Sequence, residues 1–320
     1  VLWGQWLRFT NATVLVCGIQ LLLLAMPVFA QSDLADDIVV LYPDVPDPFV
    51  RVFTDIIEGI RAGYPGEVKD RVLARNASLD DVVAIMDSTQ LKTVVALGNQ
   101  AMDFVQQLPP SYLTISSAIL AAPVTVEPDF TAITLAPDPN EMFRELVALA
   151  PEIKTVHVIY QQELHGRLIQ RAKVVAAAHG LQLEAHLIES LSESASWYRA
   201  MFKSLDPGKD SVWLLQGDIA LRERSVLYHV LKGAWNLKLL VFSSNPSYVS
   251  KGVLFSLYPD NQGLGNSIAK ALVAKRNGDN IGIEHAKDLL IAVNIRTAEH
   301  LGLNITRARI RDIDVVFPRQ

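Results

Sequence analysis

Cysteine is nearly absent from this chain of 320 residues: the single one, Cys17, lies in an apolar stretch near the start. No pair exists for a disulfide, and no thiolate cluster can ligate a metal. Stability must therefore come from a packed core, and half the residues are apolar, ample for one large core or two smaller ones. Basic residues are also few, 29 against 34 acidic, a net of −5. That balance argues against nucleic acid as partner, which needs clustered Lys and Arg to replace counterions. Beyond residue 30 no run reaches the 18 apolar residues of a membrane span.

Signature motifs of catalysis are missing as well. There is no G-x-S-x-G, no H-E-x-x-H, no P-loop and no complete G-x-G-x-x-G after a strand. Gly263-Leu-Gly265 is a fragment of a glycine pattern, read as a turn or helix start. The seven histidines, at 157, 165, 179, 186, 229, 285 and 300, fall at no metal-ligand spacing within one helix. The expectation is a non-enzyme with no catalytic residue, no metal and no cofactor.

What is present begins with the first thirty residues. Arg8 is their one charge, so beyond them 28 basic residues face 34 acidic. An apolar run from 12 to 25 leads to Pro27-Val28-Phe29-Ala30 and then polar Gln31-Ser32-Asp33. This is the pattern of an export signal cleaved after Ala30, and predicts a periplasmic protein. An uncleaved membrane anchor is the alternative. Val16 before Cys17 argues against a lipoprotein reading, which wants a small residue there.

From residue 37 onward, short β-branched runs alternate with amphipathic segments, the pattern of βα units feeding parallel sheets. Strands are expected at 37–42, 68–73 and 93–97, with weaker ones at 112–116 and 131–135. Between them a helix at 49–62 would turn Phe49, Phe53, Ile56, Ile57 and Ile60 to one sheet face, and a helix at 79–86 would be capped by Ser78 with Asp81. After Pro137 and Pro139 the alternation restarts. It gives helices at 140–149, 164–179, 195–205 and 220–231, and strands at 156–160, 181–187, 211–215, 237–242 and 253–257. Two such blocks predict an α/β fold of two doubly wound lobes. Ligands of such sheets bind outside the carboxyl ends of the strands, so a cleft between the lobes is the expected site.

Residues 251–260, KGVLFSLYPD, are followed by Leu264-Gly265, Ile268-Ala269, Leu272-Val273 and Gly278, and 290–303 reads LIAVNIRTAEHLGL. These segments resemble the ABC-transporter substrate-binding family of the type I periplasmic-binding-protein fold, the one that includes tryptophan and aromatic amino-acid binders. The resemblance spans most of 37–305. It implies a first lobe of 31–135 plus 259–286, a second of 136–258 plus 287–320, and a three-crossover hinge. Family members carry G-V-x-D-P after the fourth strand; the corresponding SSAILAAPVT, 116–125, has neither Gly nor Asp.

On that fold the ligand-binding candidates are the polar residues at strand ends. Lobe one offers Tyr42, Asp44, Asn99 and Gln100, the last two at a helix N-terminus with unpaired N–H groups. Lobe two offers Tyr160, Gln161, Gln216, Asp218, Ser243, Ser244 and Asn245. Asp218 either pairs with a ligand or caps the next helix. Tyr42, Tyr160 and Tyr258 either stack on a ligand or wall the interlobe core, and Trp197, Trp213 and Trp235 are expected to pack. The implied partners are an amino acid, nucleoside or sugar and a membrane permease, with a monomer the expected state. The alternative is a ligand sensor that docks on a membrane receptor or signalling partner.

Overall fold

The computed structural model describes residues 36–318; the export signal expected at 1–30 lies outside them. Among the described residues no helix is long and apolar enough to cross a membrane.

The chain opens with β1 (Ile38–Pro43), α1 (Val50–Gly63), β2 (Val68–Leu73), α2 (Leu79–Thr89), β3 (Thr93–Leu97), α3 (Asn99–Val105), β4 (Leu113–Ser117) and β5 (Ala132–Pro137). It continues with α4 (Pro139–Leu149), β6 (Thr155–Tyr160), α5 (Gln162–Ala176), β7 (Gln182–Leu187), α6 (Leu191–Met201), β8 (Asp210–Leu214), α7 (Arg224–Leu237), β9 (Leu240–Ser243) and β10 (Phe255–Pro259). The last stretch holds α8 (Asn261–Arg276), β11 (Ile283–Ala286), β12 (Leu289–Asn294), α9 (Ile295–His300), α10 (Arg307–Arg311) and β13 (Val315–Phe317).

These strands form two sheets, ordered β11-β5-β4-β3-β1-β2 and β13-β12-β10-β9-β8-β6-β7. Pairing is parallel throughout the first, and in the second only β10 and β12 run antiparallel. Each sheet steps outward in both directions from its first strand. The strand order therefore reverses between β1 and β3 in lobe one and between β6 and β8 in lobe two, the switch points where such sheets open a crevice.

Buried runs explain the central strands. Ile38, Val39, Val40 and Leu41 are fully buried, as are Val94, Val95, Ala96 and Leu97, as expected of strands covered by helices on both faces. Helix α1 buries Ile56, Ile57 and Ile60, each contributing roughly 1.5–3 kcal/mol. Phe49, read as part of that face, is instead exposed, because it precedes the helix as its N-cap. Ser78 and Asp81 form the expected capping box on α2. In lobe two the core centres on Trp213, Phe143, Phe242 and Phe255, with Phe242 stacked between Trp213 and Phe255 at centroid distances of 5.9 and 5.2 Å.

Some boundaries differ from the sequence pattern. The helix expected at 220–231 splits into a 3-10 turn (Ala220–Arg222) and α7, which runs on to Leu237. Lys238, in the left-handed conformation, ends α7, so β9 starts at Leu240. Helix α6 begins at Leu191 because the Ser190 hydroxyl accepts from the Glu193 backbone N–H. The edge strands β11 and β13 carried no sequence signal. They are four and three residues long, too short to show a period.

Three crossovers join the sheets, at 137–139, 259–261 and 286–289. They are bonded to one another: Asp138 N–H donates to Ala286 O at 3.2 Å and Asp260 N–H to Asp288 O at 3.0 Å. The Ser267 hydroxyl also donates to the Asp288 carboxylate at 2.6 Å. These three short connections, hydrogen-bonded to one another, are the link between the two sheets.

Candidate ligand-binding cleft

Side chains of both lobes meet around a cavity of about 430 Å³ beside the hinge. Val52 and Asp55 of α1 and Leu135 of β5 line it from lobe one, Gln216, Pro246 and Tyr258 from lobe two, with Asp260, Asn261 and Gln262 at the second crossover. A second cavity, of about 210 Å³, lies between the β4–β5 loop, including Leu120 and Ala122, and α5, including Leu164 and Arg167. The volume of the first, and its mixture of apolar walls with a few polar groups, fit small-molecule capture.

The switch-point loops of lobe two are fixed by a residue that sequence reasoning passed over. His165 is buried in the first turn of α5. Its Nε2 lies 2.9 Å from Gln216 O, and its Nδ1 lies 3.4 Å from the Gln161 backbone N–H. One nitrogen must donate and the other accept, so the ring is held as the neutral Nε2–H tautomer. Burial depresses its pKa, with partial opposition from the Gln216 carbonyl and the Asp218 charge. Beside it Gly217 adopts φ +92°, and a Cβ there would lie 2.7 Å from Leu164 Cδ2 and 3.6 Å from Leu120 Cδ1. Leu120 belongs to lobe one. A Cβ at 217 would meet Leu120 in ordinary van der Waals contact, whereas Leu164, in α5 of the same lobe, would have to shift.

The segment that departs from the family pattern makes this contact. Ala118 sits in the left-handed region at φ 55°, a conformation that favours glycine. It turns the chain after β4 so that Ile119 is buried and Leu120 points to Gly217. The guanidinium of Arg167 in α5 reaches back across the lobes, donating to Val124 O at 2.9 Å.

The strand-end candidates divide into two groups. Asp44 and Asn99 are exposed, and Tyr160, Gln161 and Gln216 half-buried; Gln216 lines the larger cavity. The others are buried or hydrogen-bonded within the protein. Asp218 is 4 % exposed. Its carboxylate accepts from Tyr198 Oη at 2.7 Å, Ser194 Oγ at 3.3 Å and Ala220 N–H at 2.9 Å. It thus bonds the start of the 3-10 turn, whose N-cap is Ile219, and takes buried donors from Tyr198 and Ser194 of α6. Burial, with the Asp218 charge beside it, holds the Tyr198 hydroxyl well above its usual pKa and so keeps it a donor.

Ser243 donates to Leu214 O and accepts from Asn245 N–H. Ser244 accepts from the Trp213 indole N–H at 3.0 Å. Asn245 caps the 3-10 turn Pro246–Lys251 by accepting from Ser247 N–H. In lobe one the Gln100 amide donates to Ala74 O, and the helix it opens, α3, is only seven residues long. Tyr42 is buried against Phe53 with ring centroids 6.1 Å apart. Burial, then the Asp70 carboxylate, raises its pKa. Trp213 is buried and Trp197 packs against the lobe-two core, whereas Trp235 lines a groove on lobe two.

Asp55, Asn261, Gln262, His165 and Arg167 were missed. Asp55 and Arg167 lie on amphipathic helices, where a charged residue reads as solvent-facing. Only the packing of the other lobe shows that they border the cleft.

No protein-family model and no curated protein matches this sequence. Solved structures do. A substrate-binding protein with adhesive properties from Clostridium difficile, in its ligand-free open form, is similar at a TM-score of 0.62 and 15 % identity, covering 89 % of this chain and 99 % of that one. An ABC domain from Streptococcus pneumoniae in complex with L-Trp is similar at 0.54 and 18 %, covering 88 % and 100 %. A probable maltose operon repressor from Staphylococcus aureus reaches 0.50 and 16 %, covering 86 % and 98 %. These are binding proteins and a regulator rather than enzymes, and at such identities the likeness is one of fold. The chain thus has the type I periplasmic-binding-protein-like fold, two doubly wound lobes on a three-crossover hinge.

Proposed function

We propose that this protein is an extracytoplasmic solute-binding protein that captures a small molecule between its lobes and presents the closed form to a membrane permease. The observation that carries the reading is the hinge-side cavity, lined from both lobes and the second crossover by Asp55, Gln216, Asn261 and Gln262. A ligand that bonds both walls stabilises the closed arrangement by its differential affinity for it. The export signal expected at 1–30 belongs to this proposal, in which the protein works outside the cytoplasm. Amides and one or two carboxylates around apolar walls suit an amino acid, nucleoside or sugar.

A thermal-shift screen of those three classes tests the reading. A ligand at about 1,000 times its Kd adds about 4 kcal/mol and raises the melting midpoint by several degrees. The expected result is one responding class whose shift disappears in Gln216→Ala and Asn261→Ala. A cooperative melt that no compound moves would overturn it.

The second reading, a sensor that docks on a receptor or signalling protein, draws support from the Arg167–Val124 hydrogen bond, which already bridges the lobes. Co-purification with a permease or with a signalling protein separates the two.

A further inference from the structure

Lobe two carries another concave site, and none of its lining residues belongs to lobe one. The parallel step from β9 to β10 is made by a loop and the six-residue 3-10 turn Pro246–Lys251 rather than by the full helix usual in such a crossover. The sheet over Val241 is consequently left open between α7 and α9, as a groove of about 540 Å³. That volume lies in the range of small-molecule sites.

The chemistry of the groove is unlike the rest of the molecule. Its floor is apolar, from Leu227, Leu231, Leu239 and Val241, and its walls include Tyr228 and Trp235. Tyr228 is 59 % exposed. The Trp235 ring is fixed in place: the His300 imidazole stacks on it at 3.7 Å and 2°, while His300 Nε2 bonds the Trp235 carbonyl at 2.8 Å. Arg224, Lys232 and Lys251 line the groove and no Asp or Glu does.

Among the described residues, none of these three cations, nor neighbouring Arg296, lies within ion-pair distance of a carboxylate. Lys232 lies instead over the Tyr228 ring at 5.7 Å, Lys251 over Tyr248 at 5.3 Å and Arg296 over Trp235 at 5.7 Å. In a chain where acidic residues outnumber basic ones, a concave surface with several cations and no counter-charge is a site for an anion. The fixed aromatic wall adds a platform for a flat ring.

We propose that this groove binds a small aromatic anion, an aryl carboxylate or sulfonate. Its ring lies against Trp235 and Tyr228, and its acid group is held by Arg224, Lys232 and Lys251. The site is separate from the interlobe cleft, and its ligand is distinguished from a cleft ligand by the residues on which binding depends.

The test is titration of the purified full chain with 2-naphthoate, followed by Trp fluorescence and by equilibrium dialysis, with neutral 2-naphthamide as comparator. The expected result is saturable, sub-millimolar binding of the acid, weaker by about tenfold or more for the amide and in the Lys232→Glu, Lys251→Glu double variant. Gln216→Ala, in the cleft, leaves it unchanged. Both lysines are exposed, so the double variant should melt as the parent does. Were it to melt lower, the exposed Tyr228→Ala variant supplies the same comparison. Absence of saturable binding, equal binding of acid and amide, indifference to the charge reversal and to Tyr228→Ala in folded variants, or loss in Gln216→Ala would each overturn the proposal.

Discussion

Tyr198 Oη donates to Asp218 Oδ2 across 2.7 Å inside lobe two, and both side chains are buried. The bond ties α6 to the loop after β8 and holds a buried carboxylate at a strand end inside the lobe. Tyr198→Phe removes one donor and leaves a buried carboxylate oxygen short of a partner, at a cost of about 1–3 kcal/mol. Urea unfolding should show that loss. Affinity for a cleft ligand should stay within experimental error, whereas a tenfold fall in affinity at unchanged stability would return Asp218 to the ligand.

Acid should weaken lobe two at His165. Its Nδ1 faces the Gln161 N–H, so a proton there sets two donors against each other, and burial is the main cause of the depressed pKa. His186 and His285 are depressed too, chiefly by burial. With the folded pKa below the unfolded value of about 6.5, the unfolded chain binds more protons as pH falls past that value. Stability is therefore full above about pH 6.5 and declines as pH drops toward the folded pKa. Melting midpoints between pH 8 and 5 should fall on the acid side, with a shallower slope in His165→Gln. An unchanged slope would remove His165 from the account.

Helices α1 and α8 cross in lobe one at glycines. A Cβ on Gly265 would lie 2.1 Å from Ile56 O, and one on Gly59 2.1 Å from Gln262 O. Backbone blocks both positions, so neither neighbour can rotate aside. Gly265→Ala should destabilise by about 1–3 kcal/mol or more through overpacking, whereas Gly278→Ala, with open space around it but a positive φ, loses only about 1 kcal/mol. Comparison of the two denaturation curves checks the ranking.

Arg167 is the polar tie between α5 and the β4–β5 loop. Being exposed, it should contribute little to stability, and Arg167→Ala is expected to change unfolding by under about 1 kcal/mol. Its effect should appear in lobe closure, as a larger radius of gyration by small-angle scattering and weaker ligand capture. A radius equal to that of the parent would show that the tie is incidental.

The βα alternation, the core strands 38–41 and 94–97 and the α2 capping box were legible because each is a local pattern. Its period or cap is set by residues within a few positions. The site was legible only in outline. Gln216, one of the strand-end candidates, lines the cavity, whereas Asp218, Ser243 and Ser244, also polar residues at strand ends, are bonded inward. What separates them is a partner far along the chain: Tyr198 for Asp218, Leu214 O for Ser243, Trp213 for Ser244.

Sequence by itself determined two sheets of mostly parallel strands, because hydrophobic periodicity and turn residues act over short distances. Tertiary structure alone decided which polar strand ends are bonded inward, that Arg167 reaches across to the β4–β5 loop, and that the short β9–β10 crossover leaves a cationic groove beside α7. The physical reason is that satisfying a buried polar group, filling a gap or leaving a charge unpaired depends on atoms brought together from distant positions, and no local pattern records them.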